Sequence, residues 1–425
     1  MDAGRFDVRS TYPLIADLQE SLWRLGSAAI IFMKENNPKR NGILGDRAWQ
    51  AREARRRRRE WCWQALAIVA TIALLWIFAH NIFENLQARD IRSGFAFLSD
   101  RASFEIGESL IAVSSNDSFA RMFFAGMLNT VRVAVVAIIT ATILGVLVGL
   151  MRLSKHPLLR LLGVAHVEFY RNIPLLIQLF AIYLIITEFL PDSFAPWHLG
   201  SWVMLSKGGF LFSVPLALWE ANISAVVAAL VSGYLVRSRV ILQTTALVAN
   251  LKALLIGVLI GGVVWVSFGI LGGWSQPHQE GFLVTGGASL TPEFITLWIG
   301  LTTFTSAAIA EIVRAGILAV PINQWNAAKA LGMTRSQTVS YVVMPQSLKL
   351  IVPPLASQYM NLTKNSSLAV IIGYPDIVSV GNTSIVIMGQ ALEAIVIIMS
   401  VYLLLNLLIA VIMSRINSRV TATSE

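Results

Sequence analysis

The stretch Arg55–Phe83, RRRRREWCWQALAIVATIALLWIFAHNIF, decides the class of this protein. Five consecutive arginines lead into Trp61–Phe83, an apolar run without Asp, Glu, Lys or Arg. A bilayer core of roughly 30 Å takes about 20 apolar residues in a helix, so this run is long enough to cross it. Arginines just before a span are drawn to the anionic cytoplasmic leaflet, at about 1 kcal/mol each. They place the preceding segment inside the cell.

Seven further runs have the same character: Phe123–Leu150, Ile173–Leu190, Phe210–Val236, Val248–Leu271, Phe294–Leu318, Leu350–Ile372 and Ile385–Met413. Phe210–Val236 is interrupted by Pro215, Glu220 and Asn222. The runs are continuous and lack the two-residue alternation of membrane strands, which excludes a barrel. Composition agrees: of 425 residues, 56% are hydrophobic and 13% charged, against about 25% charged in soluble proteins. The expectation is an all-α polytopic membrane protein with about eight transmembrane helices.

The net charge of +9 is topological and does not point to a nucleic-acid partner. Lys and Arg gather in alternate loops: Arg152, Lys155 and Arg160; Arg237, Arg239 and Lys252; Lys329, Arg335 and Lys349; Arg415 and Arg419. The intervening loops carry Glu84, Asp90, Asp100, Glu105, Glu108 and Asp117, then Glu188 and Asp192, Glu280 and Glu293, and Asp376. With eight spans the positive-inside rule is satisfied at every loop, and both termini are cytoplasmic. The first apolar run lies too deep for a cleavable signal peptide, so it is expected to stay as an anchor.

Three regions follow. Residues 1–54 form a cytoplasmic tail, in which Leu14, Leu18, Leu22, Leu25, Ala29 and Phe32 recur at helical spacing. That pattern fits either a helix on the membrane or a partner, or a weakly ordered extension. Residues 55–121 hold the first span and a periplasmic loop too short to be a solute-binding domain. Residues 122–420 form the remaining membrane domain, with a long cytoplasmic loop at 319–348. The small-residue pairs Gly145–Gly149 and Gly257–Gly261 allow close helix approach.

Within that loop, Asn326–Leu331 favours helix, Gly332 can close it in a left-handed cap, and Thr334 or Ser336 can cap a second short helix that Pro345 ends or follows. Two short helices at an angle make a protruding knob, whose small alanines admit a partner's groove. Asn326-Ala327-Ala328, three residues, Gly332, nine residues and Val342-x-Met344-Pro345 resemble the E-A-A, G, I-x-L-P signature of ABC importer permeases, with Asn326 in the place of its Glu. Arg171-Asn172-Ile173-Pro174-Leu175-Leu176-Ile177-Gln178-Leu179-Phe180, Ala310-Glu311-Ile312-Val313-Arg314-Ala315-Gly316-Ile317 and Leu362-Thr363-Lys364-Asn365-Ser366-Ser367-Leu368 resemble segments of the polar amino acid permeases. Together with the insertion between Ser193 and Glu293, they look like the longer permease of the general L-amino acid (Aap/Bzt) group. The resemblance implies a type I importer core in the bacterial inner membrane. It also implies that the loop docks on a cytoplasmic ATPase dimer, with a second permease and a periplasmic amino-acid-binding protein as further partners.

Polar groups inside apolar runs are functional candidates, because burying charge in lipid is costly. Lys364, with Asn361, Asn365 and Ser366, and the strip containing Thr302 and Thr305 point to a translocation path or a subunit interface. Pro353-Pro354 should kink their helix. Glu311 with Arg314, and Glu168 with Arg171, stand three apart and are expected to pair structurally. The sequence carries no G-x-x-x-x-G-K-[ST] phosphate loop. Cys62 is the single cysteine and His80, His166 and His198 are isolated, so no metal, cofactor or catalytic set is expected. ATP hydrolysis is then assigned to a separate subunit. An ion-coupled secondary transporter of small polar solutes is the alternative, and such a protein has no use for a docking knob.

Overall fold

The computed structural model describes residues 44–88, 94–240, 246–280 and 283–422; the helical pattern expected over Leu14–Phe32 lies outside them. The chain divides into two compact units, Met1–Ile91 and Arg92–Glu425. In the first, α1 (Leu44–Ala88) is one helix that runs through the arginines into the apolar segment. Arg56 donates to Glu60 at 3.0 Å, an i,i+4 pair on that helix. Trp61, Leu66, Ile72 and Trp76 are all exposed, as a helix solvated by lipid requires.

The second unit is a helical bundle with a small β layer. Its first long helices are α2 (Phe119–Arg152), α3 (Pro157–Asn172) and α4 (Leu175–Phe189). A hairpin of α5 (Leu218–Val240) and α6 (Ala246–Gly272) follows. After α7 (Pro292–Leu318) and the short α8 (Ile322–Ala330) comes α9 (Arg335–Gln337). A six-residue π-helical stretch, Thr338–Val343, carries it into α10 (Met344–Asn365), extended by a 3-10 stretch to Ile372. Helices α11 (Ile377–Met388) and α12 (Ala391–Ala422) complete the chain.

Among the described residues, six helices are long and apolar enough to cross a membrane, or up to eight when two bent pairs each count as one span. One pair is α3 with α4, bent by 106°; the other is Arg335–Ile372 with α11, bent by 50°. The upper count agrees with the expected eight, but two boundaries and the position of one bend differ. Gly209–Phe212 and Val214–Pro215 are strands, so the span expected from Phe210 begins at Leu218. Ile385–Met388 belong to α11, and Gly389 at φ +72° ends it before α12 begins at Ala391. Pro353 and Pro354 lie inside α10, which continues through them, so the large bend falls at Gly373–Asp376 instead.

Glycines allow the tightest helix contacts. A Cβ at Gly145 would lie 2.6 Å from Ile309 and 2.9 Å from the Ser306 carbonyl, and one at Gly149 would lie 2.9 Å from the Ala310 carbonyl. Helix α2 therefore packs backbone-close on α7. Gly257 and Gly261 do the same for α6 against Ala229 and Ala225 of α5. Around the α2–α7 contact the core gathers Val133, Leu179, Leu297, Leu301, Ile309 and Leu362.

The insertion forms antiparallel strands β1 (Trp197–Leu199), β2 (Val203–Ser206), β3 (Gly209–Phe212), β4 (Val214–Pro215), β5 (Trp274–Ser275), β6 (His278–Glu280), β7 (Leu283–Thr285) and β8 (Ala288–Leu290). They pair as β1-β2-β3-β8, β4-β5 and β6-β7. The β3–β8 ladder, Phe210 opposite Leu290, joins the two ends of the insertion just before α7. Helices α5 and α6 thus leave and rejoin the chain at one place.

Candidate coupling and translocation sites

Helix α8 ends in a Schellman motif. The Met333 N–H donates to the Ala328 carbonyl at 3.1 Å and the Gly332 N–H to that of Lys329 at 2.9 Å, with Gly332 at φ +72°. Only glycine takes that conformation without steric cost. Two residues on, the Thr334 hydroxyl accepts from the Gln337 N–H at 3.3 Å while the Gln337 side chain accepts from the Thr334 N–H at 2.8 Å. This capping box starts α9 at Thr334 rather than at Ser336. Pro345, expected to end or follow a second short helix, lies inside the continuous helical stretch 335–365, just past the π-helical residues Thr338–Val343, whose wider turn accommodates its ring and missing N–H. The second arm of the knob is therefore the base of a long helix, and not a separate short one.

The exposed side of α8 carries Asn326, Ala327 and Lys329, with Ile322 and Leu331 as its apolar tips. Ala328 is 3% exposed and turns inward, so of the two expected tip alanines only Ala327 is on the surface. Asn326 makes no side-chain hydrogen bond among the described residues.

Near the same end, three helices meet on one carboxylate. Glu311 of α7 accepts from Arg314 at 2.9 Å, and also accepts from Arg152, the last residue of α2. Arg171, at the end of α3, stands 3.7 Å away. The pair expected between Glu168 and Arg171 is not formed. Arg171 turns to Glu311, and Glu168 accepts instead from Asn172 at 3.3 Å. The 106° bend beside them is held by Gln178, whose amide donates to the carbonyls of Tyr170 at 2.9 Å and Ile173 at 2.8 Å. Pro174 removes the N–H that would have continued α3.

Helix α10 presents an unusual exposed face. Pro354, Ser357, Asn361 and Lys364 recur along it at three- and four-residue steps, and Asn365 is half-buried beside them. No large apolar side chain is exposed between Leu350 and Ile371, whereas α12 exposes Leu403, Leu404, Leu407 and Leu408. The α12 face suits lipid; the α10 face does not. Ser366 is buried, its hydroxyl donating to the Thr363 carbonyl at 2.7 Å. Thr305 is also buried, and Thr302 shares a 2.7 Å hydrogen bond with Thr140 of α2, which accepts from Trp298 as well. Ser366 and Thr305 are thus covered and Thr302 bonds across the α2–α7 contact, so that of the six residues Asn361, Lys364 and Asn365 share the polar face of α10.

The knob, the three-arginine cluster and the polar face occupy the segments whose spacing resembled the permease signatures. Residues 141–422 match the family model described as "Binding-protein-dependent transport system inner membrane component". The chain is 40% identical over 375 residues to the putative amino-acid ABC transporter permease protein YhdX of Escherichia coli K12, covering 85% of this chain and 94% of that protein. It is also 40% identical over 365 residues to the general L-amino acid transport system permease protein AapQ of Rhizobium johnstonii (84% and 91%). A third relative, the glutamate/glutamine/aspartate/asparagine transport system permease protein BztB of Rhodobacter capsulatus, is 32% identical over 383 residues (82% and 90%). The chain belongs to this family of inner-membrane transport components.

Three polar residues of this permease escaped the sequence reading. Gln178 stands inside a segment quoted above, but its role depends on a bend that periodicity does not reveal. Asn129 is fully buried in α2 and donates to the carbonyls of Glu108 at 2.8 Å and Pro375 at 2.9 Å. One turn on, Arg132 pairs with Glu108 and lies 4.2 Å over the Phe294 ring. Thr291 donates to the same Glu108 carboxylate. The segment before α2 is thereby tied to α2 and α7 above a cavity of about 390 Å³ lined by Glu105, Glu108, Glu293, Pro375 and Thr383. Arg132, a charge inside the apolar run Phe123–Leu150, was a readable signal for this contact.

Proposed function

We propose that the chain is the permease subunit through which an ATP-driven importer moves amino acids across the bacterial inner membrane. The observation that carries this reading is the exposed helix α8, closed by a glycine cap at one end and set against the base of α10 at the other. A short helix closed by a glycine cap at its C-terminal end and held against α10 near its N-terminal end is rigid enough to pass motion from a docked ATPase into a span. Its side chains Gln324 and Gln346 approach to 3.4 Å, so α8 and α10 touch directly. Family membership supports a binding protein and an ATPase as partners. The names of the relatives support amino acids as cargo.

In this reading both termini and residues 319–348 are cytoplasmic, and Asn326, Ala327 and Gly332 belong to the docking surface. Ala328 and Pro345 hold it from within. Asn361, Lys364 and Asn365 face the translocation path that a second, different permease closes. ATP hydrolysis belongs to the ATPase dimer, and the chain needs no metal or cofactor of its own. Affinity purification of the tagged chain from native membranes tests this: an ATPase and a second permease should co-elute. Recovery of the chain alone, from membranes that import amino acids through it, would refute the assembly.

A further inference from the structure

The strand layer of the insertion exposes aromatic and aliphatic side chains with almost no charge between them. From Ser193 to Trp219 the single Lys, Arg, Asp or Glu is Lys207, and it pairs with Asp192 at 3.0 Å. Over the same stretch Trp197 is 61% and Leu199 75% exposed, and Trp202, Leu216 and Trp219 are exposed as well. Strand β1 is uncovered at all three of its residues. Water is a poor solvent for such a surface, which marks a partner or a membrane.

Its place and its chemistry select lipid. The strands join the ends of α4, α5, α6 and α7. Leu216, Trp219, Ile270 and Leu271 carry the exposed apolar sides of α5 and α6 up to those ends without a break in character. The indole N–H groups of Trp197, Trp202 and Trp219 have no acceptor among the described residues, whereas Trp265 donates to Asn222 at 3.0 Å. An apolar ring with a free N–H suits the boundary of a bilayer, where ester and phosphate oxygens accept. A protein that docks and leaves must keep its surface soluble between visits, and transient interfaces are about as polar as the rest of a protein surface. Here charge is nearly absent.

The layer is also held at a fixed height. Trp202 stacks on Trp274 with ring centroids 5.1 Å apart, and Trp274 on Trp265 of α6 at 5.5 Å. Gly269 makes room for this ladder, since a Cβ there would lie 2.1 Å from the Trp274 ring. Each such aromatic pair is worth about 0.5–1.5 kcal/mol beyond its buried area. The ladder ties the sheet to the last turns of a span.

We propose that the strand layer is a membrane anchor, with Trp197, Leu199, Trp202 and Trp219 seated in the headgroup and ester region of the leaflet at this end of the spans. Its partner is phospholipid: the indoles donate to ester or phosphate oxygens, and their rings rest with Leu199 on the upper acyl chains. In the orientation proposed above this is the outer leaflet. The insertion then sets the depth of α5 and α6 and is not a platform for the binding protein.

The test uses the full-length chain in intact membranes, with p-benzoyl-phenylalanine in place of Trp197, of Leu199 or, as a reference in span α5, of the exposed Leu230. After irradiation the purified chain is analysed by mass spectrometry. Phospholipid adducts should form at 197 and 199 in a yield similar to that at 230. A protein adduct at either position, whether to a binding protein, a second permease or another copy, overturns the assignment. So does an absence of phospholipid adducts at both positions when 230 gives them. A second measurement decides independently of the photochemistry. A nitroxide attached to the L199C variant of the C62S chain, in phospholipid nanodiscs, should collide more with lipid-soluble oxygen than with a water-soluble nickel chelate. The reverse order places Leu199 in water and refutes the anchor.

Discussion

Replacing Gly332 tests the docking helix most sharply, because the structure separates backbone strain from crowding. Gly332 sits at φ +72°, and a Cβ added there would meet nothing within 4 Å. Any penalty therefore comes from the left-handed conformation, about 1–2 kcal/mol for an ordinary L-residue, and more for a β-branched one. Relieving that strain breaks the Gly332–Lys329 and Met333–Ala328 hydrogen bonds, each worth about 0.5–1.5 kcal/mol. A nine-residue helix has little stability of its own to absorb this loss. Gly332→Asn should be nearly silent, Gly332→Ala intermediate and Gly332→Val severe. Uptake and binding-protein-stimulated ATP hydrolysis by the reconstituted complex should fall in that order, with normal membrane insertion. Wild-type uptake in Gly332→Val, or an Ala variant worse than Val, would refute the reasoning.

Thr334→Ala removes the capping box and should cost about 1 kcal/mol of local stability, read as faster amide exchange over 335–343 without loss of insertion. Glu311→Gln leaves Arg152 and Arg314 around a neutral acceptor. It should lower the melting temperature of the detergent-solubilised protein, and an unchanged melting curve would show that the cluster is idle. Gln178→Leu strips the donors from Tyr170 and Ile173, at roughly 1–3 kcal/mol for each carbonyl left buried, and should reduce folded yield more than Glu168→Gln. Gly145→Ala drives a methyl group into Ile309 and the Ser306 carbonyl, an overpacking worth about 1–3 kcal/mol, and should lower the melting temperature by more than Gly262→Ala, where a Cβ meets open space.

Much of the membrane architecture was legible because lipid imposes a simple rule, long apolar runs with basic loops, and α2, α6, α7 and α12 obey it. Boundaries failed where tertiary pairing overrode hydropathy. Phe210–Phe212 reads as the start of a span, yet it pairs with Ala288–Leu290 across a gap that no local pattern exposes. The glycine cap was readable at Gly332 because its chemistry is local. The partner of Arg171 was not, since spacing offered Glu168 and the fold supplied Glu311 from another helix. Ala328 was misread as a tip residue for a related reason: helical spacing gives a face, and only packing says which way that face turns. The polar character of Lys364 was plain from sequence. That its face exposes no large apolar side chain emerged only once the neighbours of α10 were in place.

The most direct measurement is uptake of radiolabelled amino acids by proteoliposomes holding the purified complex, with ATP enclosed in the compartment that the ATPase faces and binding protein on the other side. Coupling through α8 predicts uptake that requires both ATP and binding protein and that Gly332→Val abolishes. Uptake driven by an ion gradient alone, without ATP and unaffected by Gly332→Val, would contradict it.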